Sequence, residues 1–243
     1  MKDKINELKK LIEKSNNIVV FTGAGISCPS PSNIPDFRSS NGIYNSKSKL
    51  NIPVEMIISH EFFLSNTKDF YEFYFDKMVY PEALPNKAHL FITKLEKLNK
   101  LKAVVTQNID DLHFMAGTKN VIELHGSIKR NYCMKCKKFY SLEDILNNTN
   151  PRCECNGLIK PDVVLYNEML NNNDIKRAID CISKSDLLIV IGTSLTVYPA
   201  RNFIDYFNGD HLVLINKSNT DYDRFAELVI NDDVINVINE LEK

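Results

Sequence analysis

With 243 residues, 44% of them apolar and 25% charged, the chain has ample material for a core; its length fits one large domain or one domain carrying a smaller one. Its 30 Lys and Arg against 31 Asp and Glu give a formal charge of −1, without the strongly basic footprint of a general nucleic-acid binder. No apolar run nears the roughly 20 residues of a membrane span. The charged stretch Met1–Lys14 lacks the apolar segment of a secretory signal, so a cytoplasmic protein with no membrane partner is predicted.

Ile5, Leu8, Leu11 and Ile12 recur at helical spacing in a polar opening, which predicts an amphipathic helix over 2–14. Short apolar runs follow at Ile18–Phe21, Ala103–Val105, Val121–Leu124, Val163–Tyr166, Leu187–Ile191 and Leu212–Ile215, with a weaker one at Leu228–Ile230. They are continuous rather than alternating, the pattern of strands buried on both faces of a parallel sheet. Helical patterns such as Ile175, Ala178, Ile179 and Ile182 lie between them, so the predicted fold class is α/β with a doubly wound parallel sheet. Two stretches break the rhythm and read as insertions. Residues 39–90 carry aromatic residues at helical spacing, and 128–158 hold four of the six cysteines.

Gly23-Ala24-Gly25 sits between the first strand and a predicted helix start, where backbone N–H groups and a helix N-terminus can face a pyrophosphate. The third glycine of a dehydrogenase fingerprint would fall on Cys28, and no acid follows at the position, about 20 residues on, that would hold an adenosine ribose. A nicotinamide dehydrogenase is therefore disfavoured. Downstream, Pro29, Pro31 and Pro35 stiffen a loop that delivers Asp36-Phe37-Arg38.

Cys133-x2-Cys136 is followed, after 16 intervening residues, by Cys153-x-Cys155. Two close thiol pairs at this separation suit tetrahedral Zn²⁺, and four thiolates leave no open position for water, so the predicted zinc is structural. Lys135, Lys137, Lys138 and Arg152 offset the negative charge of such a centre, while Cys28 and Cys181 read as plain small residues.

Three further segments follow strand ends: Thr106-Gln107-Asn108-Ile109-Asp110, His125-Gly126 and Gly192-Thr193-Ser194. In a parallel sheet the carboxyl ends share one edge, so these segments should converge with the glycine turn on one crevice. His125 stands out because glycine and then the cysteine insertion follow it, whereas His60, His89, His113 and His211 read as core or surface residues.

Taken in order along nearly the whole chain, these segments resemble the sirtuins, NAD-dependent protein-lysine deacylases. The likeness runs through Gly23–Ser27, Ile34–Arg38, Thr106–Asp110, Leu112-His113 with Ala116-Gly117, His125-Gly126, the four cysteines, Pro161–Val164, Gly192–Leu195 with Val197 and Pro199-Ala200, and Ile215-Asn216. The resemblance implies a Rossmann-like NAD-binding domain from 1–38, 91–126 and 159–243, with a small domain made of a helical insertion (39–90) and a zinc ribbon (127–158). It implies NAD as a consumed co-substrate, one structural Zn²⁺, an acylated-lysine protein or peptide as partner, no nucleic acid, and a monomer. By motif match, Ala24, Phe37 and Arg38 would line the cofactor loop, and Gln107, Asn108, Ile109 and Asp110 would hold the nicotinamide ribose and carboxamide. Thr193, Ser194, Asn216, Lys217, Asp233 and Val234 would hold the adenosine half. His125 would be the catalytic base, with Asn108 beside it, and Val163, Val164, Tyr166, Glu168, Leu195 and Val197 would line the acyl-lysine tunnel. An imidazole has the intrinsic pKa for a base working near neutral pH.

The sequence departs from the family's pattern at Asn33, Asp111 and Asn167, where glycine is common. Tyr74-x-x-Lys77 lies where the branch that removes acidic acyl groups carries arginine, and lysine lacks the bidentate fork. These features predict a preference for acetyl or longer neutral acyl groups. Two rival readings remain: NAD hydrolysis or ADP-ribosyl transfer in the same pocket, and a zinc-ribbon module that reads nucleic acid.

Overall fold

The computed structural model describes residues 2–37, 39–40, 42–45, 50–196 and 200–243. At its centre lies β1 (Ile18–Thr22), every residue of which is fully buried. On one side of it run β2 (Leu101–Thr106) and β3 (Val121–Glu123); on the other run β7 (Leu187–Ile191), β8 (His211–Ile215) and β9 (Leu228–Ile230). All pair in parallel, in the order β3-β2-β1-β7-β8-β9.

The period of two along β1 divides the core. Ile18 and Val20 face a layer made of α1 (Lys2–Lys14), α5 (Lys87–Lys97) and α9 (Val234–Leu241). Val19 and Phe21 face α8 (Asn172–Ser183) and the 3-10 helix Ala200–Tyr206. Each fully buried aliphatic side chain contributes about 1.5–3 kcal/mol, which makes this double-sided strand the anchor of the domain. Helix starts are fixed by side-chain acceptors: Asn171 accepts from Asn173 N–H at 2.8 Å, Asp233 accepts from Ile235 N–H at 2.8 Å, and Asn86 forms a capping box with His89.

A second, antiparallel sheet is built from β4 (Gly126–Cys133), β5 (Phe139–Ser141) and β6 (Ile159–Val163) in the order β5-β4-β6. It shares one apolar cluster with α2 (Val54–Ile57), α3 (His60–Ser65), α4 (Thr67–Lys77) and α7 (Leu142–Ile145), while the short α6 (Leu112–Met115) lies between β2 and β3 in the chain. Phe63, Phe70, Tyr71 and Tyr74 are its fully buried aromatic centre, with the Phe63 and Phe70 rings edge to face at 5.0 Å. The Tyr71 hydroxyl donates to the Ile159 carbonyl at 2.7 Å and ties α4 to β6. Helix α5 starts at Lys87, and its Ala88, Ile92 and Leu95 belong to the core beneath the large sheet.

One strand expectation is corrected. Val163–Tyr166 does not run in the parallel sheet; Val163 ends antiparallel β6 and the chain continues as a loop, with the Tyr166 N–H donating to Ile58 O at 3.0 Å. The run is apolar because Val163 and Leu165 enter the small-lobe cluster while Val164 packs on the large-sheet cluster. Its side chains serve two cores at once.

The glycine turn also has a different neighbour from the one its pattern suggests. A Cβ on Gly25 would lie 2.7 Å from Gly192 Cα, and one on Gly23 would lie 2.7 Å from Thr193 Cβ, so the turn is shaped first by contact with the segment after β7. Gly192 has φ +65 and would place a Cβ 2.4 Å from Ile26 N. Gly192→Ala should therefore cost at least about 2 kcal/mol, seen as a lower urea midpoint with the slope unchanged; a wild-type midpoint would contradict this packing.

Candidate active site

Beyond the strands proper, one row of parallel-sheet hydrogen bonds continues across the carboxyl edge. Leu124 N–H donates to Thr106 O (2.9 Å), Gln107 N–H to Thr22 O (2.9 Å), and Gly23 N–H to Ile191 O (3.0 Å). Gly192 N–H donates to Ile215 O (3.1 Å) and Asn216 N–H to Ile230 O (3.2 Å). This row sets the segments singled out in the sequence side by side at the topological switch point, between strands that continue to either side of β1 and β7. They open onto a cavity of about 540 Å³ whose far wall comes from the small lobe and the 163–168 loop.

His125 lies in this cavity with its Nδ1 2.8 Å from the Gln107 carbonyl oxygen. A carbonyl accepts only, so Nδ1 carries the proton and Nε2 keeps its lone pair. Burial pulls the imidazole below its ordinary 6.5, against the opposing effect of the Gln107 carbonyl. The ring is thus held neutral and acceptor-ready near pH 7. The His125 carbonyl accepts from Val164 N–H at 3.0 Å, which fixes the same residue to the 163–168 loop.

Asp110 is the second polar centre. Its Oδ2 accepts from Ser27 Oγ at 2.7 Å and Asn108 Nδ2 at 3.1 Å, and its Oδ1 accepts from Leu112 N–H at 3.0 Å. Burial raises its pKa, and these hydrogen bonds oppose the rise. Ser27 also accepts from Asn108 Nδ2 at 3.0 Å, so the glycine turn and the 106–110 segment interlock. Ser27 belongs to the Gly-Ala-Gly-Ile-Ser stretch, yet sequence reasoning gave it no role; a small hydroxyl carries no distinguishing pattern until its neighbours are known.

On the far side, Thr193 N–H donates to Asn216 Oδ1 at 2.9 Å, and Gln107 Nε2 donates to Thr193 Oγ1 at 3.1 Å. Asn216 Nδ2 is buried without a hydrogen-bond partner, a vacant donor on the cavity wall suited to a hydroxyl or phosphate oxygen. With the Gly23–Gly25 turn and Ser194 also on the wall, the residues fit a dinucleotide.

Ala24, Phe37, Gln107, Asn108, Ile109, Asp110, His125, Thr193, Ser194, Asn216, Lys217 and Val234 all line the cavity, as do Val163, Val164, Tyr166 and Glu168. Asp233 does not line it; it caps α9 and pairs with Lys217 at 2.8 Å, while its neighbour Asp232 reaches the wall. Leu195 turns into the core on the α8 face of the large sheet, with φ +55. Glu168 is occupied by three donors: Leu165 N–H (2.9 Å), His60 (2.7 Å) and Lys160 (3.0 Å). Tyr74 is buried away from the cavity, whereas Lys77 lines it. Arg38 and Val197 lie outside the described residues. Tyr44 was missed; its hydroxyl lies 2.6 Å from that of Tyr166 across the cavity mouth.

The four cysteine sulfurs lie within 4.8 Å of one another, the compass of thiolates each about 2.3 Å from a shared Zn²⁺. Lys137 (φ +64) and Asn156 (φ +60) turn the two knuckles. A Cβ on Gly157 would lie 2.5 Å from Cys133 Sγ, so glycine leaves room for the sulfur cage. The donor set fits zinc.

A family model described as the Sir2 family matches residues 23–199. The chain belongs to that family. An NAD-dependent protein deacetylase of Clostridium tetani is 55% identical over 239 residues, covering 97% of this chain and 96% of that one. A Clostridium acetobutylicum protein with the same description is 54% identical and covers 97% of both. Among solved structures, a Sir2 complex with a p53 peptide and NAD⁺ has a TM-score of 0.85 at 39% identity, covering 98% of this chain and 96% of that one. A Sir2 structure bound to acetylated peptide has a TM-score of 0.84 at 37% identity, with the same coverage.

The departures of this Sir2-family chain have a shared backbone cause. Asn33 (φ 52), Asp111 (φ 67) and Asn167 (φ 68) all adopt the left-handed conformation that favours glycine, and short Asx side chains tolerate it. Each turn thus carries a short polar side chain on left-handed backbone.

Were His125 the base of a reaction in this cavity, its lowered folded pKa would let activity persist at neutral pH and fall only as pH drops through a midpoint below 6.5. A kcat/KM profile with its acid midpoint above 7 would contradict this environment for His125.

Proposed function

We propose that this Sir2-family chain is an NAD-dependent protein-lysine deacylase, chiefly a deacetylase, that moves the acyl group from lysine to ADP-ribose and releases nicotinamide. The carrying observation is a lone-paired imidazole Nε2, set by the Gln107 carbonyl, in the cavity that also holds Asp110 and Asn216. NAD, when bound, would supply the ribosyl carbon that the acyl oxygen attacks as nicotinamide leaves, and the ribose hydroxyl that then takes over the acyl group. Gln107, Asn108, Ile109 and Asp110 would hold its nicotinamide end, with Asp110 and the Ile109 backbone placed to bond a carboxamide. Ala24 and Phe37, with Arg38, would line the cofactor loop. Thr193, Ser194, Asn216 and Val234 would hold the adenosine half, with Lys217 set by Asp233.

His125 is the base that takes the proton of a ribose hydroxyl, and Asn108 fixes the reacting end from beside Asp110. Val163, Val164 and Tyr166 line the acyl-lysine side, where an apolar wall excludes water and favours transfer over hydrolysis. Glu168, with His60 and Lys160, braces the 163–168 loop, and Leu195 backs the site from the core. The division proposed for the chain is a Rossmann-like domain from 1–38, 91–126 and 159–243, and a small domain from 39–90 and 127–158. The zinc ribbon's thiols, together with the absence of disulfides among the six cysteines, fit the reducing cytoplasm as the place of action.

The test is product analysis with NAD and an acetyl-lysine peptide. One acyl-ADP-ribose should form per nicotinamide released, and His125→Ala should lower turnover at least about 100-fold while zinc stays bound. Free ADP-ribose as the main product would indicate hydrolysis instead. On matched peptides, acetyl and fatty-acyl groups should turn over faster than succinyl, since Lys77 lines the cavity but Tyr74 does not. Faster succinyl removal would overturn that preference.

A further inference from the structure

Strand β4 carries three residues that β6 does not match: Ser127 lies opposite Asp162 and Asn131 opposite Pro161, leaving Ile128, Lys129 and Arg130 as a bulge. Bulges beside active sites re-aim the groups they carry. Two of these residues reach back to the catalytic segments. The Ile128 N–H donates to Ile109 O at 2.9 Å, gripping the segment that holds Asp110. Arg130 donates through Nη1 to Glu123 Oε2 at 2.7 Å and through Nε to Asp162 Oδ2 at 2.7 Å.

Glu123 ends β3 two residues before His125, and its side chain is only 7% exposed. Asp111 and Asp110 face the same carboxylate and repel its charge, while Arg130 attracts it. Lys129, the other cation on the bulge, acts on Asp111 and lies 3.9 Å from Glu143. Between Glu123 and Arg130 the chain passes His125 and Gly126, where φ is +76 and a Cβ would fall 1.8 Å from Asp162 O. There is no slack at this crossing, so a shift of β4 against β3 would swing the imidazole.

We propose that Arg130 is a positioning residue, a two-armed clamp that joins the end of β3 to the root of the small sheet and so holds His125 and Ile109 in register. It does not line the cavity. Burial pushes the Glu123 carboxyl up to about 7 even with the guanidinium present, so losing Arg130 would leave a buried acid that ionises only at higher pH and then without a paired cation.

The experiment compares zinc-loaded full-length wild type with Arg130→Gln, Arg130→Lys and Arg130→Gln combined with Glu123→Gln. Arg130→Gln should lower kcat roughly 10- to 100-fold with KM for NAD changed less than about twofold, since the adenosine half is held by segments after β7 and β8. Its loss should deepen from about pH 6 to 9 as Glu123 is forced to ionise unpaired. Glu123→Gln in the same background should flatten that slope. Arg130→Lys, which keeps the charge without the fork, should recover part of kcat. Zinc content and urea midpoint are read on the same samples, and Arg130→Lys decides the matter if Arg130→Gln fails to fold. Wild-type kcat in a folded Arg130→Gln or Arg130→Lys protein at every pH, or a loss in Arg130→Gln that is equal at every pH and not relieved by Arg130→Lys, would overturn the clamp. The claim rests on the deacylase reading for its kinetic readout; wild-type turnover tests that reading separately. The ¹⁵N resonances of His125 should move in Arg130→Gln whatever the reaction, and unmoved resonances would count against the clamp.

Discussion

The hydrogen bond from His125 Nδ1 to the Gln107 carbonyl is the contact on which the geometry of the candidate site depends. It joins two adjacent strand ends, and it decides which imidazole nitrogen faces the cavity. Burial alone would favour a neutral ring without fixing its tautomer; the carbonyl does so, because it can only accept. The row of main-chain bonds along the carboxyl edge makes the arrangement rigid, since Gln107 N–H is itself bonded to Thr22 O in fully buried β1. The imidazole is thereby referenced to the most deeply buried element of the core.

A second constraint comes from building one cavity out of two cores. The large sheet supplies the polar floor, where Asp110, Asn108, Ser27 and Asn216 are interlocked. The small lobe supplies the apolar wall, anchored by its buried aromatic cluster and stabilised by thiolates that fit zinc. The 163–168 loop belongs to both, since alternate side chains enter different clusters and Val164 N–H is bonded to His125 O. The thiolate cage and the cavity share no lining residue and meet through packing of the small lobe. The β4 bulge provides the shortest covalent route between them.

Much of this was legible in the sequence because strand ends carry the chemistry. Continuous apolar runs marked the parallel strands, and the residues just past Phe21, Val105, Leu124, Ile191 and Ile215 had to share one edge. The cysteine spacing likewise identified a four-thiolate cage. Less was legible wherever an apolar run served two cores: Val163–Tyr166 read as a sheet strand because period and hydrophobicity do not report which core a side chain enters. Leu195 offered no signal of its left-handed backbone, and Asp232 and Asp233 could not be ranked before the α9 cap was known. Ser27 and Tyr44 meet partners distant in sequence, so spacing gave no hint of them. The Asx residues at 33, 111 and 167 are the reverse case, since backbone stereochemistry accounts directly for why they can stand where glycine is common.

The most direct test of this account is the ¹⁵N spectrum of His125 followed through a pH titration of the folded, zinc-loaded protein. The account predicts a neutral ring protonated on Nδ1 at pH 7, titrating below 6.5. A ring protonated on Nε2 at neutral pH, or an imidazolium persisting above pH 7, would contradict it.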